Sequence, residues 1–289
     1  MSAPGGLVSR FRVPDLGVGV GYRLPHADEV LHTRPAIDFY EIISENYMAD
    51  GGPPLARLDR LRALAPVVPH GVSMSLGSTA PPDHSPRLDR LLDRVKPPWF
   101  SDHLCFTGAA GINAHDLLPL PYTAERRAHV VDRIREVQDR TGRLLAVENV
   151  SSYLSYAASD QSEWDFLAEV AEAADCGLLL DLNNIVVSAY NHGFDPAEYL
   201  AAVPLDRVVQ IHLAGHTIKA EGYRLDTHDA EVCDEVWALY QETIKRTGSI
   251  STLIEWDDHI PPLARLVAEV DSARARREAG LLERARAAR

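Results

Sequence analysis

Histidine, aspartate, glutamate and asparagine recur in this sequence at the ends of short apolar runs, a placement that suits metal chemistry. Pro69-His70-Gly71, Ser101-Asp102-His103, Val147-Glu148-Asn149, Leu180-Asp181-Leu182-Asn183-Asn184, Ile211-His212-Leu213-Ala214-Gly215-His216 and Ile254-Glu255-Trp256-Asp257 each close such a run, and Leu225-Asp226-Thr227-His228 lies between the last two. Taken singly, each has a plain structural explanation. A strand-end His is ordinarily a hydrogen-bonded core or loop residue, a Glu behind Ala146-Val147 can pair with an Arg, and Asp-x-His can close a turn through an Asx hydrogen bond. Six apolar runs in succession ending this way is a different matter. Burying these carboxylates and imidazoles together without compensation is costly, and few Lys or Arg stand at the ends of the runs, so cations are the natural remedy. The donors are nitrogen and oxygen without thiolate, which suits iron, manganese or zinc and disfavours a Cys-based structural zinc site or an iron–sulfur cluster. With roughly four to six ligands per transition metal, about nine candidate donors imply two or three ions with positions left for substrate.

The runs themselves read as strands: Leu16–Tyr22, Ile37–Ile43, Val67–Leu76, Trp99–Phe106, Leu144–Val150, Gly177–Leu182, Val208–Leu213 and Ser251–Trp256. Helical stripes fall between them, as in Leu55, Leu58 and Leu61, in Val130, Ile134 and Val137, and in Val232, Val236, Tyr240 and Ile244. Eight strand–helix pairs predict an α/β fold, the (β/α)8 TIM barrel, in which every strand opens on the same face and residues distant in sequence converge there. The competing open sheet would show a glycine-rich phosphate turn. Gly17, Gly19 and Gly21 imitate one, but they lie inside a strand run that continues as Tyr22-Arg23-Leu24-Pro25 instead of opening a helix.

With 289 residues and 46% hydrophobic content, one barrel domain spanning residues 1–289 is expected, with 273–289 a terminal helix or frayed tail. No stretch has the length and apolarity of a signal sequence or membrane helix, so a cytoplasmic location without membrane contact is expected. A net charge of −13 argues against nucleic acid as a partner. Cys105, Cys176 and Cys233 are too scattered for a disulfide framework and read as reduced, mostly buried residues, although Cys105 follows His103 closely enough to face the site.

The strings Ser44-Glu45-Asn46-Tyr47, His70-Gly71-Val72-Ser73, Ser101-Asp102-His103-Leu104, Leu117-Leu118-Pro119-Leu120-Pro121-Tyr122, Glu148-Asn149-Val150-Ser151-Ser152-Tyr153, Asp181-Leu182-Asn183-Asn184, His212-Leu213-Ala214-Gly215-His216, Asp226-Thr227-His228 and Ile254-Glu255-Trp256-Asp257 resemble, in order, the multinuclear non-heme iron-dependent oxidase family, relatives of the methanobactin biosynthesis oxidase. The likeness runs from about Gly17 to Leu266. It implies a xylose isomerase-like TIM barrel, related to endonuclease IV, holding two or three iron ions in mixed Fe(II)/Fe(III) states. It further implies dioxygen-dependent modification of cysteines in a ribosomally made precursor peptide, with a small partner protein presenting the peptide leader. Carried over position by position, the implied ligands are His70, His103, Glu148, Asp181, Asn184, His212, Asp226, His228 and Glu255. Where the endonuclease relatives place a histidine, Asn184 supplies a neutral, weaker donor, which suits an ion that changes redox state and admits substrate. Asp102, Asn149, Asn183 and His216 are assigned to orienting the ligand imidazoles or meeting the substrate. His192 either lies near the barrel mouth or caps the next helix together with Asp195.

Two rival readings stand beside this one. A zinc or manganese hydrolase or isomerase of the same fold would use metal-bound hydroxide as base or nucleophile. A metal-binding scaffold would deliver peptide or metal to a partner without turnover. The acidic composition weighs against a nuclease, and the expense of so large a buried cluster weighs against simple docking.

Overall fold

The computed structural model describes residues 13–79, 85–109 and 112–288; the opening of the expected single domain and its last residue lie outside this description. Twelve strands follow in chain order: β1 (Val18–Gly21), β2 (Tyr40–Ile43), β3 (Val67–Gly71), β4 (Phe100–His103), β5 (Phe106–Ala109), β6 (Ile112–Leu118), β7 (Leu145–Glu148), β8 (Gly177–Asp181), β9 (Val208–Leu213), β10 (Thr217–Ile218), β11 (Arg224–Leu225) and β12 (Ser251–Ile254). Eight of them close into a parallel barrel in the order β1-β12-β9-β8-β7-β4-β3-β2, while β5–β6 and β10–β11 form separate hairpins. Helices α1 (Ala27–Thr33), α2 (Pro53–Arg62), α3 (Ser85–Val95), α4 (Ala124–Thr141), α5 (Glu163–Ala174), α6 (Leu182–His192), α7 (Pro196–Ala202), α8 (Asp234–Thr247) and α9 (Leu263–Ala287) lie between and after the strands. The chain is a (β/α)8 TIM barrel.

Barrel strands are buried on both faces, so they read as continuous apolar runs. One set of side chains, Phe39, Val68, Trp99, Leu144, Ala146, Leu179, Val209 and Leu253, packs together as a cluster of its own. Their strand neighbours, such as Tyr40, Val67, Leu145 and Leu178, join the larger cluster that includes Leu58, Val130, Ile134 and Val236 from the helices. The first set therefore fills the barrel interior and the second the layer beneath the helices. Capping is regular where it fixes the frame. Thr123 caps α4, accepting from Arg126 N, and α4 ends at left-handed Gly142 (φ 62°).

Two expected strands end early. The run read as Val67–Leu76 is strand only to Gly71, where a Cβ would collide with Asp102 Oδ2. The run read as Trp99–Phe106 breaks after His103, where Cys105 N turns back to His103 O at 3.0 Å, and Phe106 opens the β5–β6 hairpin. The Arg- and Ala-rich segment from Ala273 belongs to α9, which begins at Leu263 and buries Leu266, Val270, Ala273 and Gly280. Among the described residues no helix is long and apolar enough to cross a membrane.

Candidate metal centre

Parallel register sets neighbouring donors side by side at the open end of the barrel. His103 on β4 is level with Glu148 on β7, and Asp181 on β8 with His212 on β9. The chain passes from β8 into α6 without a loop, because Asp181 ends the strand and also caps the helix by accepting from Asn184 N at 2.6 Å. Asn183 and Asn184 thereby stand on the first turn of a helix at the barrel mouth. His228 is held in the left-handed region, φ 45°, with its carbonyl accepting from Asp257 N at 2.9 Å.

The donors gather into three adjoining groups: His70, His103 and Glu148; Glu148, Asp181, His212 and Glu255; and His228, Glu255 and Asp257. Within each group the donor atoms lie within 4.8 Å of one another. Glu148 belongs to the first and second groups and Glu255 to the second and third, so two carboxylates link the whole. Glu148 Oε2 is 3.4 Å from His70 Nε2 and 3.2 Å from His103 Nε2, and its Oε1 is 3.4 Å from His212 Nδ1. Glu255 Oε2 is 2.9 Å from His212 Nδ1 and 3.3 Å from His228 Nδ1. Asp226 Oδ1 lies 2.8 Å from His228 Nε2, which faces Asp181 Oδ2 at 3.8 Å.

Whether these residues fit a cation is tested by their hydrogen bonding. Buried polar atoms are normally paired, yet Glu148 Oε2, Asp181 Oδ2, Asn184 Oδ1, His212 Nδ1 and His228 Nε2 are buried without a hydrogen-bond partner. Five such donor atoms converging from three strands, the first turn of α6 and the loop that carries His228 are what a set of cation ligands presents, and the donor set fits one. In the metal-free chain protons take the cation's part. Burial lowers the His212 and His228 pKa, but facing carboxylates outweigh it and raise both well above the imidazole range: chiefly Glu41, Glu255 and Glu148 for His212, and Asp226 for His228. Burial raises Glu148, and His103, His212 and His70 outweigh it, holding the carboxyl at about 2. Asp181 is raised well above the carboxylate range by burial. His70 is lowered, also by burial.

The residues expected to orient the ligands take more specific places. Asn149 clamps the Asp181 backbone from both sides, donating to Asp181 O and accepting from Asp181 N, each at 2.9 Å. Asn183 donates to Asp226 Oδ1 at 2.7 Å, and its Oδ1 faces His216 Nδ1 at 2.8 Å, so Asn183 links His216 to Asp226. Asp102 acts on the backbone beside His103. It accepts from Met74 N and His103 N at 3.1 and 2.8 Å and braces the backbone there, and burial pushes its carboxyl up to about 7. His192 bonds Ser152 through Nε2, while Asp195 alone caps α7. Cys105 and Cys176 are buried, and Cys233 is half-buried.

Four residues of the centre were not assigned to it from the sequence, although Asp257 closes one of the polar runs. Arg23, just past β1, buries a guanidinium 3.2 Å from Glu255 Oε1 and 2.5 Å from Asp257 Oδ1, so one fixed cation does stand among the strand ends. Asp257 completes the third donor group. Glu41 and Gln210 lie beneath His212, wholly buried. A cavity of about 380 Å³ opens over the donors, bounded by Asp116, Leu117, Ser151, Tyr153 and Thr227 among others. His216, Cys233 and Glu235 form a separate potential donor group, but Glu235 is already paired with both terminal nitrogens of Arg224.

The fold comes first: the closed eight-stranded parallel barrel is shared with solved xylose isomerase-like TIM barrels. The model superposes on endonuclease IV from Thermus thermophilus with TM-score 0.59 at 15% identity, over 92% of this chain and 99% of that one. It superposes on a xylose isomerase-like TIM barrel protein from Mycobacterium smegmatis, in complex with magnesium, with TM-score 0.56 at 14% identity, over 88% and 89%. Identities this low speak to fold alone. Residues 17–278 match the model of the RiPP precursor modification enzyme family MbnB/TglH/ChrH, and the chain belongs to that family. A UPF0276 protein of Anaeromyxobacter is 58% identical over 88% of this chain and 90% of its own, and one of Caulobacter vibrioides 54% identical over 91% and 95%.

Proposed function

We propose that this enzyme is a multinuclear non-heme iron oxidase that uses dioxygen to modify cysteine residues of a ribosomally synthesised precursor peptide. The observation carrying the reading is the run of three donor groups joined through Glu148 and Glu255 beneath one cavity. Shared carboxylates bring ions close enough to act on one substrate atom together. His70, His103 and Glu148 would hold the first ion, Asp181, Asn184 and His212 the second, and Asp226, His228 and Asp257 the third, with Glu148 and Glu255 each serving two of the groups. Iron bound there would acidify a cysteine thiol and pass electrons to dioxygen. The neutral Asn184 oxygen and the thiolate-free donor set favour iron over a tightly held zinc trio.

The protein's own contribution is positioning. Asn149 fixes Asp181, Asn183 fixes Asp226, and Arg23 fixes Glu255 by one oxygen while leaving the other to the centre. Tyr153, whose hydroxyl accepts from Asp226 N at 2.9 Å, narrows the cavity rim. A cavity of about 380 Å³ accommodates a residue or two of peptide, so the leader must be held elsewhere, which favours presentation by a small partner protein.

The test is consumption. Iron-loaded protein mixed with its Cys-containing precursor, and with any presenting partner, should draw down oxygen and change the peptide's mass. The Cys→Ser peptide should do neither, because an alcohol is a far poorer ligand than a thiol with pKa about 8.5. Equal conversion under strict anaerobiosis with no other oxidant points to hydrolysis or isomerisation instead. Tight binding with the peptide recovered unmodified points to a scaffold.

A further inference from the structure

Below the donor groups the barrel interior holds a second polar layer, which meets the centre through His212. Glu41 on β2 is 1% exposed, and Gln210 and His212 on β9 and Trp99 before β4 are fully buried. Trp99 Nε1–H donates to Gln210 Oε1 at 2.8 Å, which fixes the amide's orientation and turns its nitrogen inward. That nitrogen donates to Glu41 Oε2 at 2.5 Å. His212 Nε2 lies 3.1 Å from the same Glu41 oxygen and 2.9 Å from the Gln210 amide nitrogen, a competing donor, and its other nitrogen, Nδ1, is the buried atom that faces Glu148 and Glu255.

An ion held by Nδ1 leaves the imidazole proton on Nε2, and the indole then decides which acceptor that proton can find. Because Trp99 occupies the Gln210 oxygen, Glu41 Oε2 is the one acceptor these contacts leave for a proton on His212 Nε2. A ligand imidazole whose far nitrogen donates to a carboxylate is fixed in both tautomer and ring angle, and is more basic toward the metal. We propose that Glu41 is a positioning residue of the metal centre: it holds the His212 proton on Nε2, so that the Nδ1 lone pair is presented to the second donor group. Trp99 and Gln210 brace Glu41 in that role. The alternative is a buried carboxylate that merely satisfies Gln210. The assignment rests on the metal reading above and adds to it which nitrogen binds and what sets it.

Zinc serves as a diamagnetic probe. In zinc-loaded protein labelled with 15N at histidine, His212 should show metal-bound Nδ1 and a slowly exchanging Nε2–H. Glu41→Gln, nearly isosteric, should speed exchange of that proton by about tenfold or more and weaken zinc binding, measured against a chromophoric chelator, by about 10- to 100-fold. Gln210→Met supplies the second arm should Glu41→Gln fail to fold. It removes the competing donor and should leave the Nε2–H protected and the tautomer unchanged. Unaltered zinc affinity and proton exchange in Glu41→Gln overturn the proposal, as does a His212 proton on Nδ1 in the loaded wild type or a tautomer change in Gln210→Met. A wild type that takes up neither zinc nor ferrous iron removes the metal reading itself, an outcome distinct from a metal-loaded protein indifferent to Glu41.

Discussion

Replacing Glu148 by Gln tests whether the donor groups act as one linked centre. The substitution keeps shape and removes one charge that three imidazoles face at 3.2 to 3.4 Å. At an effective dielectric of about 20, unit charges at that separation interact by about 5 kcal/mol, and an amide oxygen retains part of this as a neutral donor. A net loss of about 2–3 kcal/mol at each affected ion corresponds to roughly 30- to 150-fold weaker binding. Glu148 belongs to two of the three groups, so both should weaken together and bound iron should fall by up to two ions per chain, with the group around His228 least affected. The assay is anaerobic ferrous reconstitution, desalting and elemental analysis, with thermal melts of the metal-free proteins alongside. In the metal-free chain Glu148 sits at about 2 against an ordinary 4.5, so its stabilisation is present above 4.5 and is lost as pH falls through about 2. A shift of this size has a ceiling of about 3 kcal/mol, which the imidazoles partly recover by giving up protons, so Glu148→Gln should melt a few degrees lower at neutral pH. Full iron content in a correctly folded Glu148→Gln protein would refute the shared-carboxylate reasoning.

Three further outcomes are expected. Asp226→Ala or His228→Ala should lower iron content while moving the melting temperature little, because barrel stability resides in packed strands and helices; unchanged iron would return Asp226-Thr227-His228 to the role of a turn. Glu163, bonded by the Tyr199 hydroxyl at 2.8 Å, is pushed by burial up to about 7. A raised carboxyl contributes stability below its unfolded value that is lost as pH rises through the folded one, so stability should drop between about pH 4.5 and 7 by roughly 2 kcal/mol, and Glu163→Gln should flatten that part of the melting profile against pH. Gly215→Ala should cost about 1–3 kcal/mol, read as a lower melting temperature, since a Cβ there would strike the Ala230 and Glu231 carbonyl oxygens, which are backbone and cannot turn aside.

The barrel was legible because its evidence is local and repeated. Each strand that is buried on both faces must be an apolar run, and each helix must carry a stripe, whatever its partner. The β5–β6 hairpin was not legible for the same reason. Phe106 closes a second apolar stretch, Leu104-Cys105-Phe106, close behind Trp99 and Phe100, and nothing within that window shows that Cys105 N will fold back on His103 O. Secondary structure set by a tight turn between two apolar stretches leaves little mark on hydrophobic periodicity.

The site divides along the same physical line. His70, His103, Glu148, Asp181, His212 and Glu255 could be picked out because each lies within one residue of a strand's C-terminal end, and barrel topology alone then brings strand ends together. Arg23 also follows a strand end, but a single Arg there reads as a solvated side chain until Glu255 and Asp257 are known to face it. Glu41 is harder still. It sits inside β2 between Tyr40 and Ile42, and Gln210, the group that makes its burial tolerable, is 169 residues away. A buried charge is acceptable only by virtue of its partners, and strand pairing decides which partners it meets. Sequence order therefore reveals the layer of a barrel site that strand ends create, and conceals the layer beneath, where each polar residue is explained by one from another strand.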